Sequence, residues 1–178
     1  MNKLVKDTII TERIILRKPK MEDAIFVFNN WASDPEVAKY VTWNAHKTIE
    51  ESKAIVAYWL EQEKDPNTIR FMITLKETGE PIGAIDVVGY IDDVPEVGYC
   101  LSRKYWNKGI MTEICSEFVR YLFSLGYKKV LIEADERNIG SNRVIEKCGF
   151  NFIYKEHKEH ASAFKSEPIT VNWYEISK

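Results

Sequence analysis

Apolar residues along the chain switch repeatedly between two spacings, and the switches mark the elements. Arg13–Arg17 predicts a first strand, closed by Pro19. Ile25, Phe28 and Trp31 recur at helical spacing and predict a helix over 21–32, and Asp34-Pro35 opens a short helical piece. Residues 40–47 read as loop. Thr48 with Glu51 three residues on predicts a capping box for a helix whose face carries Ile49, Ser52, Ile55, Val56, Trp59 and Leu60. Ile69–Leu75 and Ile82–Ile91 predict two strands joined by a turn at 78–80. Asp92, Asp93 and Pro95 predict a second turn, and Glu96–Ser102 a fourth strand. Ile110, Met111, Ile114, Cys115, Phe118, Leu122 and Phe123 mark a long amphipathic helix with Gly126 as its C-terminal cap. Lys129–Ala134 predicts a fifth strand. Ser141–Cys148 predicts a helix ended by Gly149, and Phe150–Lys155 and Ile169–Ile176 predict the last two strands.

The hairpins imply antiparallel pairs, while the strand-helix-strand segment over 97–134 implies one parallel pair. The predicted class is α+β: a mixed, mostly antiparallel sheet of about seven strands with helices on both faces. The 178 residues suit one domain, 1–178, with no repeat or linker. A hydrophobic fraction of 45% supports a core. The net charge of −2 and the lack of a long basic run argue against nucleic acid as a partner. No apolar run approaches membrane-spanning length, and Met1–Ile10 lacks the apolar stretch of a secretory leader. Cys100, Cys115 and Cys148 read as reduced core residues, which places the protein in the cytoplasm. A homodimer is compatible with a sequence that does not fix the oligomeric state.

The segment from Val97 to Glu113 holds the densest chemistry. A strand runs into Arg103-Lys104-Tyr105-Trp106-Asn107-Lys108-Gly109-Ile110-Met111 and then a long helix. A helix N-terminus offers unpaired N–H groups and the positive end of a dipole, suited to a diphosphate. Gly109 permits close backbone approach, and Lys108, Lys104 and Arg103 add positive charge. Neither a Gly-Lys-Ser/Thr phosphate loop nor a three-glycine dinucleotide fingerprint is present.

Residues Tyr105 to Glu113 resemble the acetyl-CoA pyrophosphate loop of the GNAT acetyltransferase superfamily, with Trp106, Gly109 and Met111 at its three marked positions. Asn138 to Phe150, ending Glu146-Lys147-Cys148-Gly149-Phe150, resembles the second CoA-side motif. Thr11 to Arg17, Asp23-Ala24 and Asp34 to Val37 are similar to the RimJ/RimL-type ribosomal-protein N-terminal acetyltransferases. The motif-bearing core spans about 11–155. Asn107 replaces a frequent glycine and Met111 a small residue. Ile145 stands where many members carry a tyrosine that protonates the departing thiolate.

The resemblance implies direct attack of an amine on the thioester of acetyl-CoA. It places Cys100, Leu101 and Ser102 along the pantetheine arm, and Asn107, Lys108, Gly109, Ile110, Met111 and Thr112 around the diphosphate. Asn138 is carried over as a pantetheine-side contact or, equally, a helix N-cap, with Asn142 near the same edge. Glu96 corresponds to a carboxylate base in several members, the alternative being a solvated residue beside Pro95. Asp86, which interrupts an apolar strand, is its rival as base or else a hydrogen-bonded sheet residue. Glu133 is a weaker candidate. Ser141, one turn before Ile145, either donates to the thiolate or caps its helix. Cys100 has no neighbouring activator in sequence and reads as core rather than as an acetyl-accepting nucleophile. His46, His157 and His160 lack metal-ligand spacing, so no metal is expected.

Tyr40 and Trp43 either wall the acceptor pocket or pack their loop, and the loop over 159–168 forms the other wall. The acceptor is a protein N-terminus or a small-molecule amine. Two further readings stand beside this one: a catalytically silent acyl-CoA-binding sensor, and a structural α+β module with no ligand at the Gly109 turn.

Overall fold

The computed structural model describes residues 7–178. The reading of the first residues as lacking a leader falls largely on 1–6, outside the described residues. Eight strands form one mixed sheet: β1 (Thr8–Ile10), β2 (Ile14–Arg17), β3 (Arg70–Leu75), β4 (Pro81–Ile91), β5 (Val94–Leu101), β6 (Lys129–Asp135), β7 (Asn151–Lys158) and β8 (Ile169–Ser177). Their order across it is β1-β2-β3-β4-β5-β6-β8-β7. Five α-helices accompany them: α1 (Ala24–Val27), α2 (Pro35–Ala38), α3 (Ile49–Gln62), α4 (Ile110–Ser124) and α5 (Ile139–Lys147).

The described residues group into two compact units. The first comprises the described residues through Lys39, with Ala45–Asp86 and Tyr99–Trp106. The second comprises Tyr40–Asn44, Val87–Gly98 and Asn107–Lys178.

In the first unit, β2 and β3 pair antiparallel with Leu16 opposite Ile73. Phe71 to Thr74 are four consecutive buried residues, so both faces of β3 are covered. Arg17 and Asp23 meet in a two-pronged ion pair of 2.8 and 2.7 Å, and the nearly inaccessible Asp23 also accepts from the Lys20 N–H at 2.8 Å. Gly83 is packed so tightly that an added Cβ would lie 2.3 Å from the Cys100 carbonyl oxygen.

The expected helix over 21–32 is a composite of a 3-10 turn (Met21–Asp23), α1 and a π-helical turn (Phe28–Ala32). The change of pitch turns Ala24, Val27 and Trp31 inward and leaves Ile25 exposed, against the spacing argument. The Thr48 capping box does not form. Thr48 makes no side-chain cap, and Glu51 instead accepts from the Lys47 N–H at 2.8 Å.

In the second unit, β5 and β6 pair parallel with Glu96 opposite Leu131, as the crossover requires. β6 and β8 then pair antiparallel, as do β8 and β7. Val97, Val130, Ile132, Ile114, Phe118, Leu122 and Ile145 are buried. Both predicted glycine caps are Schellman turns. Tyr127 N–H reaches Leu122 O after α4, and Phe150 N–H reaches Ile145 O after α5, both at 3.3 Å. Two boundaries depart from expectation. Asp92 and Asp93 alone make the β4–β5 turn, both with positive φ (49° and 65°), and Pro95 lies inside β5. The short β1 adds an eighth strand that sequence reading passed over, because three residues carry too little alternation.

Gly83→Ala is expected to destabilise the protein by about 2–3 kcal/mol, because the new methyl meets backbone rather than a yielding side chain. Urea unfolding should show a lower midpoint with an unchanged slope.

Candidate active site

The turn before α4 is built by two left-handed residues. Asn107 has φ 58°, and Gly109, the N-cap, has φ 71° and ψ 2°. No side chain caps this helix. Glu113 N–H is the first to find an intrahelical partner, Gly109 O at 3.1 Å. The N–H groups of Ile110, Met111 and Thr112 therefore have no helical acceptor. Ile110 and Met111 are buried, so their side chains belong to the core and only their backbone can serve a ligand. Asn107 and Lys108 are exposed beside them. Arg103, expected to add phosphate-binding charge, lies in the first unit and pairs with Asp34 at 2.9 Å. Asp34 also caps α2, accepting from Glu36 N–H at 3.0 Å.

At the end of β5 in the first unit, Ser102 N–H donates to Ile82 O at 2.7 Å, and Leu101 O accepts from Trp106 Nε1 at 2.8 Å. These two groups are therefore already engaged within the protein. Burial pushes the Cys100 thiol up to about 12, which removes it as a nucleophile at neutral pH. Asp86, in the same unit, receives Arg70 Nε (2.9 Å) and Nη2 (2.7 Å) on one oxygen. Burial raises its pKa and the Arg70 charge opposes the rise. Arg70 is held in turn by Gln62 at 2.8 Å and lies over the Trp59 ring. Asp86 is thus the partner of a positioned guanidinium.

Glu96 sits in the second unit with a different set of neighbours. Burial raises its pKa, Glu133 raises it further, Lys158 opposes and Glu156 adds to the rise. Lys158 is itself ion-paired to Glu133 and lies over the Trp173 ring, whose Nε1 donates to Glu156 at 2.8 Å. The outcome is a half-buried carboxylate with increased proton affinity, the property a general base needs. Glu133, Glu156 and Lys158 shape it from β6 and β7. Of these, the sequence singles out only Glu133, because Glu156 and Lys158 lie beyond the strand predicted over Phe150–Lys155, whereas β7 runs on to Lys158.

The first turn of α5 collects Asn138, Ser141 and Asn142. Asn138 is the N-cap, its Oδ1 accepting from Ser141 N–H at 3.1 Å, so Ser141 is not the cap residue. Asn142 is saturated. Its Nδ2 donates to Asp135 O (2.9 Å) and Asn138 O (2.8 Å), and its Oδ1 accepts from Tyr174 OH (2.7 Å) and Asn172 Nδ2 (2.8 Å). With both donors and both acceptor sites used, its amide belongs to the protein and not to a bound cofactor. Ile145 is fully buried and supplies no proton.

The two loops expected to wall the acceptor do meet. Ser162 Oγ donates to Thr42 O at 2.6 Å, and Asn44 Nδ2 donates to Phe164 O at 3.0 Å. Tyr40 faces the Arg137 guanidinium at 5.9 Å, and Trp43 is half-buried in the same loop. Arg137 is fixed by Asp135, at 2.9 and 2.6 Å, whose own pKa is held low mainly by those hydrogen bonds against burial. This pair was not found in sequence, since Asp135-Glu136-Arg137 reads as a polar loop.

The family model for the acetyltransferase (GNAT) domain matches residues 13–151. The chain belongs to the GNAT acetyltransferase family. Acetyl-CoA is therefore its acetyl donor, and the silent-sensor and ligand-free readings are set aside. The uncharacterized N-acetyltransferase p20 of Bacillus licheniformis is 29% identical over 147 residues, covering 81% of this chain and 82% of that protein. Among solved structures, the microcin C7 self-immunity acetyltransferase MccE, in complex with acetyl-CoA and AMP, has a TM-score of 0.81 at 18% identity, covering 99% of both chains. The ribosomal-protein-S5-alanine acetyltransferase of Vibrio fischeri has a TM-score of 0.76 at 20% identity, covering 94% of this chain and 96% of its own. Among the described residues of this acetyltransferase, no group of His, Cys, Asp and Glu could hold a metal ion, and no helix is long and apolar enough to cross a membrane.

Asn142→Ala should cost about 2–4 kcal/mol, because it removes the buried acceptor shared by Tyr174 OH and Asn172 Nδ2, while the Asp135 and Asn138 carbonyls keep their backbone N–H partners. Chemical denaturation measures this. A cost under about 1 kcal/mol would mean that the network is dispensable.

Proposed function

We propose that this cytoplasmic acetyltransferase moves the acetyl group directly from acetyl-CoA to a primary amine, with Glu96 as the base. The observation that carries the reading is the start of α4. There a left-handed Gly109 without a side-chain cap leaves three backbone N–H groups and the positive helix end for an anion. In this reading Asn107 to Thr112 hold the diphosphate, with Lys108 adding charge. Backbone groups of Cys100, Leu101 and Ser102 guide the pantetheine arm to the extent that their own hydrogen bonds allow, and Asn138 contacts its side while capping α5. Asn142 acts as the anchor of that cap. Bound acetyl-CoA supplies an activated acyl group on a thiolate leaving group. Glu96 takes the ammonium proton so that the amine can attack. Ser141 donates to the departing thiolate, whose ordinary pKa of about 8.5 makes a strong acid unnecessary. Asp86 is a weaker base candidate because Arg70 occupies it.

A RimJ/RimL-like acceptor, a peptide N-terminus, is favoured by the opening sequence motif and by likeness of fold to a ribosomal-protein acetyltransferase. A small-molecule amine is the other acceptor class. Tyr40 and Trp43 line the acceptor side in either case.

Calorimetry with acetyl-CoA tests the cofactor turn. Gly109→Asp, a residue that tolerates positive φ, should weaken binding by at least about tenfold through charge repulsion at the helix end. Equal affinity in the variant would sink this placement.

Thiol release with an amine acceptor tests the base. Glu96→Gln should lower kcat/KM by roughly 10²–10⁴ with acetyl-CoA affinity unchanged. Because Glu96 must be ionised and burial raises its pKa, the wild-type rate should climb with pH along an acid limb displaced upward from the ordinary position of a glutamate. Glu133→Gln removes a charge that raises the Glu96 pKa, so the limb should move to lower pH. Lys158→Met removes one that lowers it, so the limb should move to higher pH. Limbs that stay fixed in both variants would exclude Glu96 as the titrating group.

A further inference from the structure

The three cysteines differ in their surroundings. Cys148 closes the C-terminal end of α5 and is half-buried. Its sulfur sits against one turn of α4. Ser116 Oγ donates to it at 3.4 Å and its own thiol points to Thr112 O at 3.6 Å, which sets it beside Cys115 on the same turn. Cys115 is fully buried. The pair thus joins a half-buried cysteine, whose sulfur accepts from Ser116 and donates to Thr112, to a second cysteine that is fully buried.

We propose that Cys115 and Cys148 form a peroxide-responsive dithiol, in which Cys148 is the sulfur attacked first and Cys115 the one that resolves it. The Cys148 thiolate attacks one oxygen of hydrogen peroxide. The O–O bond breaks, hydroxide leaves and is protonated to water, and Cys148 becomes a sulfenic acid, oxidised by two electrons. The Cys115 sulfur then attacks the Cys148 sulfur, and the S–O bond breaks. The hydroxyl group departs with the Cys115 proton as a second water. Two thiols and one peroxide yield one disulfide and two waters. The bridge ties the end of α5 to the second turn of α4, and a dithiol reductant reverses it.

The acid-base properties agree with these roles. The Cys115 hydrogen bond, helped by Ser116, brings the Cys148 thiol down to about 7 against the opposing effect of burial, whereas Cys115 is pushed well up by the same hydrogen bond and by burial. Cys100, held at about 12 by burial, serves as an internal control.

The test treats the reduced full-length protein with graded hydrogen peroxide, quenches it in denaturant with N-ethylmaleimide, and maps the peptides by mass spectrometry. The expected product is a Cys115–Cys148 bridged peptide with Cys100 fully alkylated. The bridge should vanish on reduction with dithiothreitol and be absent from Cys148→Ser. In Cys115→Ala, which keeps the packing volume close, dimedone should label Cys148 instead. On the native protein at neutral pH, Cys148 should alkylate more than about tenfold faster than Cys100. The proposal is overturned if all three thiols remain alkylatable after peroxide, if Cys148 goes to sulfinic acid with Cys115 untouched, or if Cys100 reacts as fast as Cys148. These readouts do not involve acetyl transfer, so they stand or fall apart from the assignment of the base and the cofactor turn.

Discussion

The parallel pairing of β5 with β6 is the constraint from which the candidate site follows. Two strands running the same way cannot be joined by a tight turn, so the chain must cross over. Here the crossover contains α4, which the chain reaches after β5 through a 3-10 turn (Arg103–Tyr105) and the turn at Asn107 and Gly109. Two consecutive demands then fall on the entry. The backbone must reverse within a few residues, which Asn107 and Gly109 achieve with positive φ, and the apolar stripe of α4 must enter the core at once, which Ile110 and Met111 do. A residue pair that is buried by its side chains and open by its backbone is what results.

The electrostatics of the second unit follow from the same sheet. Glu96 lies on β5, opposite Leu131 in the parallel pairing, and Glu133 stands two residues further along β6. That spacing keeps Leu131 and Glu133 on one face of their strand. The placement of a like charge near Glu96 is therefore a matter of register, and a slip by one residue would turn Glu133 to the other face. Lys158 from β7 balances Glu133 directly and Glu96 at longer range. Asp86 shows the contrary arrangement, a raised carboxylate whose neighbour is a guanidinium held on two further supports.

Most of the architecture was legible in the sequence, because α3, α4 and the strands carry long periodic patterns or strong glycine punctuation. What escaped had physical causes. The segment over 21–32 changes helical pitch twice, from 3-10 to α to π, so a single period misplaces Ile25. Pro95 is tolerated inside β5, and the two aspartates turn the chain without the glycine that sequence rules look for. Thr48 has the right spacing for a capping box, but the carboxylate of Glu51 goes to Lys47. At the site, the glycine turn and Asn138 were legible as motifs. Saturation of Asn142 was not, since Tyr174 and Asn172 lie 32 and 30 residues away in sequence and only the strand order brings them in.

That strand order has a consequence for biosynthesis. β8 lies between β6 and β7, although it follows both along the chain. As the polypeptide emerges, β7 appears with Phe152, Ile153 and Tyr154 among its residues and has no strand to join until Ile169–Ser177 has been made. Asn142 likewise waits for Asn172 and Tyr174. The second unit therefore cannot be completed piecemeal behind the ribosome. It closes only once β8 has been made, leaving an interval in which the apolar residues of β7 are available to chaperones.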